Sequence, residues 1–298
     1  MLSLDHPEQK QALLQISEEL CNAKIDSIEL GGSGANSRIY KVVSGSTNFA
    51  LKFYKEGKIF WNDRLNAETK ALKLFQKNGF LNTPHFVRAN LEKNCSLIEW
   101  IDGKTMKSDG MNKISEMCQF LKDVHILKNQ VLKDNLPLGT EACLSGTELL
   151  RQLHMRIENL RKSEKTNSDF HKFLDNEFVQ VVEKTANRCQ HQYKDANMDF
   201  SQEISKAQQT LSVVDFGFHN MLQHLDGSIT YIDFEYFGWD DPVKLVADTM
   251  QHPGINLDAS ARKLFFEKTL TIFGQDPEYL TRLKILYPLY GLRWLAIM

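Results

Sequence analysis

The spacing of hydrophobic residues along the chain changes near residue 101. Before that point, short runs that alternate apolar and polar residues predict strands, and apolar residues three and four positions apart predict helices. The predicted strands are Ser27–Leu30, Arg38–Val43, Asn48–Tyr54, His85–Asn90 and Cys95–Trp100, and the predicted helices are Pro7–Asn22 and Ile59–Lys77. The first part of the chain therefore predicts a small antiparallel sheet accompanied by helices.

After Asp102-Gly103 the helical spacing dominates. The predicted helices are Asn112–Leu127, Thr147–Lys162, Asp169–Gln192, Pro242–Gln251, Ala259–Phe273 and Glu278–Met298. Strands at Ser212–Leu225 and Ile229–Phe234 interrupt them, and the turn Asp226-Gly227-Ser228 predicts a β-hairpin within a helical lobe. The whole pattern predicts an α+β fold of two lobes, residues 1–101 and 102–298.

Composition and charge narrow the class of protein. The 298 residues are 42% hydrophobic and 25% charged, which is ordinary for a soluble domain. Lys and Arg number 36 against 38 Asp and Glu, so no overall positive charge favours nucleic acid or anionic lipid. The 5 cysteines include no CxxC pair, which argues against a disulfide framework or a zinc site. We expect a cytoplasmic protein with no signal peptide and no membrane span.

Three glycines lie between the first two predicted strands, in Gly31-Gly32-Ser33-Gly34. Glycine lets successive N–H groups point to one centre and lets the chain approach a ligand closely, as phosphate-binding loops require. A glycine-rich hairpin turn that binds nothing has the same composition. This segment alone leaves both interpretations open.

A buried ion pair is predicted between Lys52 and Glu68. Lys52 shares a strand face with Ala50, and Glu68 falls within the apolar stripe of the following helix. That stripe consists of Trp61, Leu65, Leu72 and Phe75. A carboxylate in such a stripe is costly without a partner, and Lys52 is the nearest candidate. The pair would hold the ammonium group against nucleotide phosphates.

The strongest chemical signal is Asp215-Phe216-Gly217-Phe218-His219-Asn220, followed after the hairpin turn by Ile232-Asp233-Phe234-Glu235. Asp215 and Asn220, five positions apart, can share a loop in which the carboxylate accepts a hydroxyl proton and the amide oxygen binds a metal. Asp233 returns on the adjacent strand to hold the same ion. Oxygen ligands of this kind favour Mg²⁺ over zinc.

The letters Asp215-Phe216-Gly217 also match the DFG motif of protein kinases. In that role they would require a catalytic Asp about 18 residues earlier and its Asn about 13 residues earlier. Those positions hold Asn197 and Gln202, so this assignment fails. The chain also lacks a long segment after Asp233 that resembles an activation loop with an A-P-E end, which argues against a protein kinase.

Taken in order, these motifs resemble the aminoglycoside phosphotransferase and choline kinase-like family, over about Gly31 to Asp248. The block from Ser212 to Pro253 resembles the branch found in bacterial surface-polysaccharide gene clusters. The resemblance implies a bilobal protein-kinase-like fold, with a small antiparallel-sheet N-terminal lobe, a mostly helical C-terminal lobe, and ATP or GTP bound between them. It implies Mg²⁺-dependent transfer of the γ-phosphate to a hydroxyl of a sugar, amino-sugar or amino-alcohol.

The resemblance also implies roles for particular residues. Asp215 would be the catalytic base, and Asn220 and Asp233 would bind the metal. The residues expected at the nucleotide are Gly32, Ser33, Gly34, Ser37, Ala50, Lys52, Glu68, Glu99 and Ile101. The residues expected at the acceptor are Tyr236, Trp239, Asp240, Arg151 and His154. Residues 1–101 would form the nucleotide-binding lobe, and residues 102–298 the catalytic and acceptor-binding lobe.

The chain departs from the family pattern at one point. The family has His-Gly directly before the catalytic Asp, whereas this chain has Val213-Val214. The histidine supports the catalytic loop in kinase-like folds, so its loss weakens the case for an aligned base. The alternative is a pseudokinase that binds a nucleotide or a sugar without transfer.

Overall fold

The computed structural model describes residues 2–34, 36–55, 63–106, 110–132, 135–163, 167–255 and 257–298. The contacts divide the chain into two compact units. The first comprises Met1–Lys107 and Phe218–Phe237, and the second comprises Ser108–Gly217 and Gly238–Met298. The division into lobes 1–101 and 102–298 stays a prediction.

A five-stranded antiparallel sheet forms the first unit, in the order β1-β2-β3-β5-β4. The strands are β1 (Ser27–Ser33), β2 (Ser37–Ser44), β3 (Thr47–Tyr54), β4 (Phe86–Asn90) and β5 (Cys95–Glu99). The predicted hairpin between β2 and β3 turns at Gly45, whose φ of +59° is the left-handed region that glycine adopts without strain. β3 lies at the centre of the sheet, between β2 and β5.

Two helices accompany this sheet. In α1 (Pro7–Cys21), the apolar residues Leu13, Ile16 and Leu20 are buried in the same core cluster as residues of β2, β3 and β5. α2 (Arg64–Lys77) begins after Asp63, whose side chain accepts a hydrogen bond from the Asn66 N–H at 2.9 Å. The predicted start of this helix at Ile59, and Trp61 of its apolar stripe, lie outside the described residues.

The predicted hairpin belongs to the first unit and not to the helical part of the chain. β6 (Lys104–Thr105) belongs to the first unit, and β7 (Thr210–Ser212) belongs to the second. The hairpin consists of β8 (Met221–Gln223) and β9 (Ile229–Tyr231). β6 pairs with β8, which fixes the hairpin to the first unit. The sequence pattern predicts it within a helical lobe, whereas the contacts group it with the first unit. The long predicted strand Ser212–Leu225 is divided by a loop and a 3₁₀ turn, Phe218–Asn220.

The second unit is mainly helical. Its helices are α3 (Gly110–Leu127), α4 (Gly146–Arg161), α5 (Ser168–Phe173), α6 (Val179–Asp195), α7 (Pro242–Gln251), α8 (Ala259–Phe273) and α9 (Tyr279–Leu295). A π-helical turn, Leu174–Phe178, joins α5 to α6. A short strand, β10 (Gly238–Asp240), pairs with β7 just before α7 begins. Asp241 caps α7 by accepting the Val243 N–H at 2.9 Å.

Among the described helices, none has both the length and the apolar character needed to cross a bilayer. All 5 cysteines are free thiols.

Candidate active site

The predicted ion pair between Lys52 and Glu68 is present in the first unit. Lys52 Nζ lies 2.7 Å from Glu68 Oε2 and 2.6 Å from Asp233 Oδ1. Lys52 and Glu68 are each only 2% exposed. Burial alone would lower the pKa of Lys52, but the carboxylates of Glu68 and Asp233 outweigh it and hold that pKa well above its ordinary value. Lys52 is therefore a permanently charged, fixed ammonium group.

Glu68 is itself held in place by neighbouring donors. The Tyr54 hydroxyl donates to Glu68 Oε2 at 2.6 Å, and the Phe234 N–H donates to Oε1 at 3.1 Å. The Tyr54 oxygen also lies 2.7 Å from Ser96 Oγ. Because the single Tyr54 proton goes to the carboxylate, the Ser96 hydroxyl is the donor to Tyr54. This chain of bonds fixes the carboxylate that orients Lys52.

A third carboxylate, Glu235, approaches the same lysine. Its Oε2 lies 3.5 Å from Lys52 Nζ, and its Oε1 lies 3.6 Å from Arg64 Nε. Burial, together with the nearby Asp233 carboxylate, raises the pKa of Glu235 to about 7. We call Lys52, Arg64, Glu68, Asp233 and Glu235 the Lys52 cluster. Among the described residues it brings three carboxylates against two cations.

The two predicted metal ligands lie at the same end of the hairpin. Asn220 directly precedes β8, and Asp233 follows β9 by two residues. Met221 pairs with Tyr231, and the Ile232 N–H donates to the Asn220 carbonyl oxygen at 3.0 Å. Asp233 has a φ of +67°, a left-handed conformation that is uncommon outside glycine and concentrates at functional sites.

These two residues fit a magnesium ion by the chemistry of their donors. An amide oxygen and a carboxylate are the hard ligands that Mg²⁺ accepts from proteins, with the remaining positions left to water and phosphate. The Asp233 side chain is 33% exposed, so the pair is accessible from solvent.

The glycine-rich segment forms the end of β1 and the turn into β2. The Gly34 N–H donates to the Ser37 carbonyl at 3.0 Å, which closes the turn, and Ser37 is buried. A Cβ on Gly31 would lie 2.7 Å from the Trp100 ring, so this glycine allows a close approach. Gly32 has open space at that position, and a Cβ on Gly34 would make only ordinary contact with Ser37, at 3.8 Å from its Oγ. Ser33 is part of β1, and its side chain lies outside the described atoms.

The other predicted nucleotide residues lie on β3, on β5 and just beyond β5. Ala50, on β3, is buried and pairs in register with Ile98. Glu99 ends β5, and its N–H donates to the His85 carbonyl at 2.8 Å, while its carboxylate accepts the His85 N–H at 3.1 Å. Ile101 follows in a segment without regular structure.

Tyr236, predicted at the acceptor, is attached to the first unit by its hydroxyl and its ring. The Asn36 side-chain amide donates to the Tyr236 hydroxyl. The Arg64 guanidinium lies over the ring, 5.7 Å from its centroid. Tyr236 thus contacts the β1–β2 turn and the arginine that approaches Glu235.

Asp215 belongs to the second unit, where it follows β7. Its φ of +64° is again left-handed, and its side chain is 32% exposed. Its Oδ1 lies 3.2 Å from Nε2 of His252, the residue that follows α7. The predicted catalytic carboxylate is therefore accessible and contacts a histidine distant from it in sequence. The preceding Val213 is buried and apolar.

Trp239 and Asp240, also predicted at the acceptor, are buried in β10. Trp239 is 1% exposed and Asp240 is 0% exposed. Asp240 Oδ1 accepts the N–H groups of Cys143 and Asp241, both at 2.8 Å, and Oδ2 lies 3.1 Å from Lys244 Nζ. These contacts occupy both carboxylate oxygens, and an acceptor role for Trp239 or Asp240 stays a prediction.

Asp240 belongs to a larger group of buried and half-buried charges. Lys244 also lies 3.6 Å from Asp248, which is 3.2 Å from Arg293. Arg293 in turn pairs with Glu141, and Glu141 with Arg156. We call this group the Lys244 cluster; its members are Glu141, Arg156, Asp240, Lys244, Asp248 and Arg293. The six members of the Lys244 cluster are three carboxylates and three cations.

Arg151 and His154 lie on α4 and pair with exposed carboxylates. Arg151 makes two bonds of 2.7 Å to Glu148, one turn earlier on the same helix. His154 Nε2 lies 2.9 Å from Glu183 of α6. An acceptor role for either residue stays a prediction.

Three neighbours of the predicted site residues were missed from sequence. Tyr54 could have been found from sequence, because the alternation of side chains along a strand puts it on the same face as Lys52. Glu235 could also have been suspected from sequence, because it is an acidic residue two positions after Asp233. No sequence pattern indicates His252, because its contact with Asp215 depends on how α7 packs.

A sequence profile of the phosphotransferase enzyme family matches residues 27–279. A comparison with curated proteins found no match. Among solved structures, the choline kinase LicA from Streptococcus pneumoniae is similar, with a TM-score of 0.60 and 15% identity over 97% of this chain and 98% of that one. An ethanolamine kinase from Plasmodium vivax has a TM-score of 0.62 and 18% identity over 98% of this chain and 82% of that one.

A third similar structure is the ADP-bound aminoglycoside phosphotransferase APH(2'')-Ib, with a TM-score of 0.57 and 15% identity over 94% of this chain and 90% of that one. At these identities the likeness concerns the fold. It confirms the predicted α+β, kinase-like fold, with an antiparallel sheet in the N-terminal part and helices in the C-terminal part.

Proposed function

Since the chain belongs to the phosphotransferase enzyme family, as the match over residues 27–279 shows, we propose that it is a small-molecule kinase. It transfers the γ-phosphate of ATP or GTP to a hydroxyl of a sugar, an amino-sugar or an amino-alcohol. The names of the similar structures support this acceptor class, because choline, ethanolamine and aminoglycosides all carry hydroxyl groups.

The observation that carries the proposal is the Lys52 cluster. A buried lysine fixed by a glutamate, with a half-exposed aspartate 2.6 Å from its ammonium group, is the arrangement that phosphoryl transfer from a nucleotide requires. Lys52 would bind the nucleotide phosphates, and Glu68 would orient it. ADP bound to one of the similar structures supports a nucleotide as the phosphate donor.

Asn220 and Asp233 would hold Mg²⁺, because they supply oxygen donors at one end of the hairpin. When bound, the ion neutralises charge on the phosphate oxygens. The chain's own contribution is that Asp233 contacts Lys52, so the proposed metal ligand and the proposed phosphate-binding ammonium group are held together before the nucleotide binds.

Asp215 would act on the acceptor. Its carboxylate accepts the proton of the acceptor hydroxyl while that oxygen forms a bond to the γ-phosphorus. The bond from the γ-phosphorus to the oxygen bridging the β-phosphate breaks, and the nucleoside diphosphate leaves. An exposed carboxylate held in a left-handed backbone conformation suits this role.

Two variants separate the roles of the carboxylates. Asp215→Ala removes the base, so we expect turnover to be lost while calorimetric affinity for the magnesium–nucleotide complex stays nearly unchanged. Asp233→Ala removes a metal ligand, so we expect that affinity itself to fall. Asp195→Ala, at an exposed position at the end of α6, serves as the matched control and should match the wild type in both assays.

Turnover is measured as phosphate released from ATP or GTP in the presence of Mg²⁺, and as transfer to choline, ethanolamine or gentamicin. Wild-type turnover in Asp215→Ala would refute its assignment as the base. Unchanged nucleotide affinity in Asp233→Ala would refute its assignment to the metal. A wild-type chain that binds nucleotide but neither hydrolyses nor transfers it would be the pseudokinase alternative.

A further inference from the structure

Two valines, Val213 and Val214, directly precede Asp215. Val213 is buried in the apolar interior and offers no polar side chain. A carboxylate that must accept a proton in one direction needs a donor to fix its orientation, because misplacement by about 1 Å costs about 100-fold in rate. The valine side chains before Asp215 cannot donate a hydrogen bond to its carboxylate, so a donor that orients it must come from another part of the chain.

His252 contacts the Asp215 carboxylate from a different part of the chain. Its Nε2 lies 3.2 Å from Asp215 Oδ1, and the two residues are brought together by α7, which ends at Gln251. Within the second unit, α7 also carries Thr249, whose hydroxyl lies 3.5 Å from the Phe216 carbonyl. The end of this helix is thus joined to the loop both at Asp215 and at the next residue.

The backbone around His252 determines which ring nitrogen carries the proton. The Gly254 N–H donates to His252 Nδ1 at 2.9 Å, so Nδ1 is an acceptor and has no proton. In the neutral ring the proton is then on Nε2, which faces Asp215. At 3.2 Å from Asp215 Oδ1, this Nε2–H is close enough to be offered to the carboxylate without a positive charge on the ring.

The ring is also fixed against rotation by α9. Trp294 packs edge to face on His252, with ring centroids 4.6 Å apart. The Trp294 indole N–H donates to Asp248 Oδ1 at 2.9 Å, and Asp248 belongs to the Lys244 cluster. His252 is therefore held by a backbone donor on one side and by a tryptophan anchored in buried charges on the other.

We propose that His252 is a positioning residue that orients the catalytic carboxylate of Asp215 by donating Nε2–H to Oδ1. This inference rests on the proposed function, because it assigns a role to His252 only if Asp215 is the base.

Kinetics of two substitutions test the proposal. His252→Leu removes the donor but keeps an apolar side chain against Trp294, and we expect kcat to fall by about 10- to 100-fold with KM for the nucleotide changed less than about 2-fold. His252→Gln places an amide N–H near the position of Nε2, and we expect it to restore kcat to within about 5-fold of the wild type. His191→Ala, an exposed histidine on α6, is the matched control.

Turnover is the release of phosphate from ATP or GTP with Mg²⁺, and each variant's thermal midpoint is measured in parallel. A purely structural role would lower the midpoint in both His252 variants and would not be rescued by glutamine. Wild-type kcat in His252→Leu, or equal losses in the leucine and glutamine variants, overturns the positioning role.

A second measurement does not depend on activity. In ¹⁵N NMR of the labelled full chain, we expect the Nε2–H tautomer for His252, with the Nε2 signal shifted in Asp215→Ala. The Nδ1–H tautomer, or a signal unaffected by Asp215→Ala, overturns the hydrogen bond. A wild-type chain with the expected tautomer but no phosphate release overturns the proposed function, and the positioning role with it.

Discussion

The Lys52 cluster and the Lys244 cluster both bury charged side chains, but they differ in charge balance and in access to solvent. Among the described residues, the Lys52 cluster has three carboxylates against two cations, and its Asp233 side chain is 33% exposed. The Lys244 cluster has three of each, and Asp240 and Lys244 are 0% and 1% exposed.

The difference separates a binding arrangement from a structural one. Buried charges are costly unless they are paired, so a balanced and closed set such as the Lys244 cluster serves the fold. The Lys52 cluster instead contains a carboxylate, Asp233, whose side chain is 33% exposed and can be reached by a bound cation. The raised pKa of Glu235, about 7, reflects the same crowding of carboxylates after burial.

The largest expected effect is in the balanced cluster. Lys244→Met leaves Asp240 buried without its cation, so we expect the free energy of unfolding to fall by about 3–5 kcal/mol. Urea unfolding measures this loss. Adding Asp240→Asn removes the other charge while keeping an acceptor for two backbone N–H groups, and it should recover much of the stability. A double variant no more stable than Lys244→Met would contradict the account of Asp240 as an uncompensated charge.

A smaller effect is expected next to Lys52. Tyr54→Phe removes a donor to Glu68 and the acceptor for the Ser96 hydroxyl, so we expect a loss of about 1–3 kcal/mol. Chemical denaturation of Tyr54→Phe and of the double variant with Ser96→Ala measures it. The double variant should lose less than the sum of the two single changes, because no orphaned hydroxyl remains. Strict additivity would show that the two hydroxyls do not interact.

Asp233 and Asp240 are the two carboxylates whose substitution should separate the clusters most clearly. In the absence of divalent cations, we expect Asp233→Asn to change the free energy of unfolding by less than about 1 kcal/mol, because relief of carboxylate crowding offsets the lost pair with Lys52. Asparagine also tolerates the left-handed backbone. The matched change Asp240→Asn should destabilise the chain more, since it unbalances a closed cluster. Equal losses from the two substitutions would remove the distinction between the clusters.

The smallest effect is expected for an ion pair outside both clusters. Arg151→Ala breaks two bonds to Glu148, but the two side chains are 57% and 30% exposed and water screens the pair. We expect a loss below about 0.5 kcal/mol in thermal or urea unfolding. A loss above about 1 kcal/mol would mean that exposure is a poor guide to the value of ion pairs in this chain.

Local features of the fold were predictable from sequence. The helices at 242–251 and 259–273 have the predicted bounds, because Asp241 and Asp258 cap them and their starts depend on neighbours in the chain. The Lys52–Glu68 pair was also predictable, since a carboxylate in an apolar helical stripe requires a partner and the preceding strand supplies one.

Placement in space was decided by the tertiary structure. The hairpin at 221–231 was recognised from its turn, but its attachment to the first unit depends on pairing between β6 and β8, which are far apart in sequence. The contact of His252 with Asp215 likewise depends on the packing of α7. Periodicity, capping and turn chemistry act over a few residues and can be read along the chain, whereas contacts between distant segments depend on the packing of whole elements.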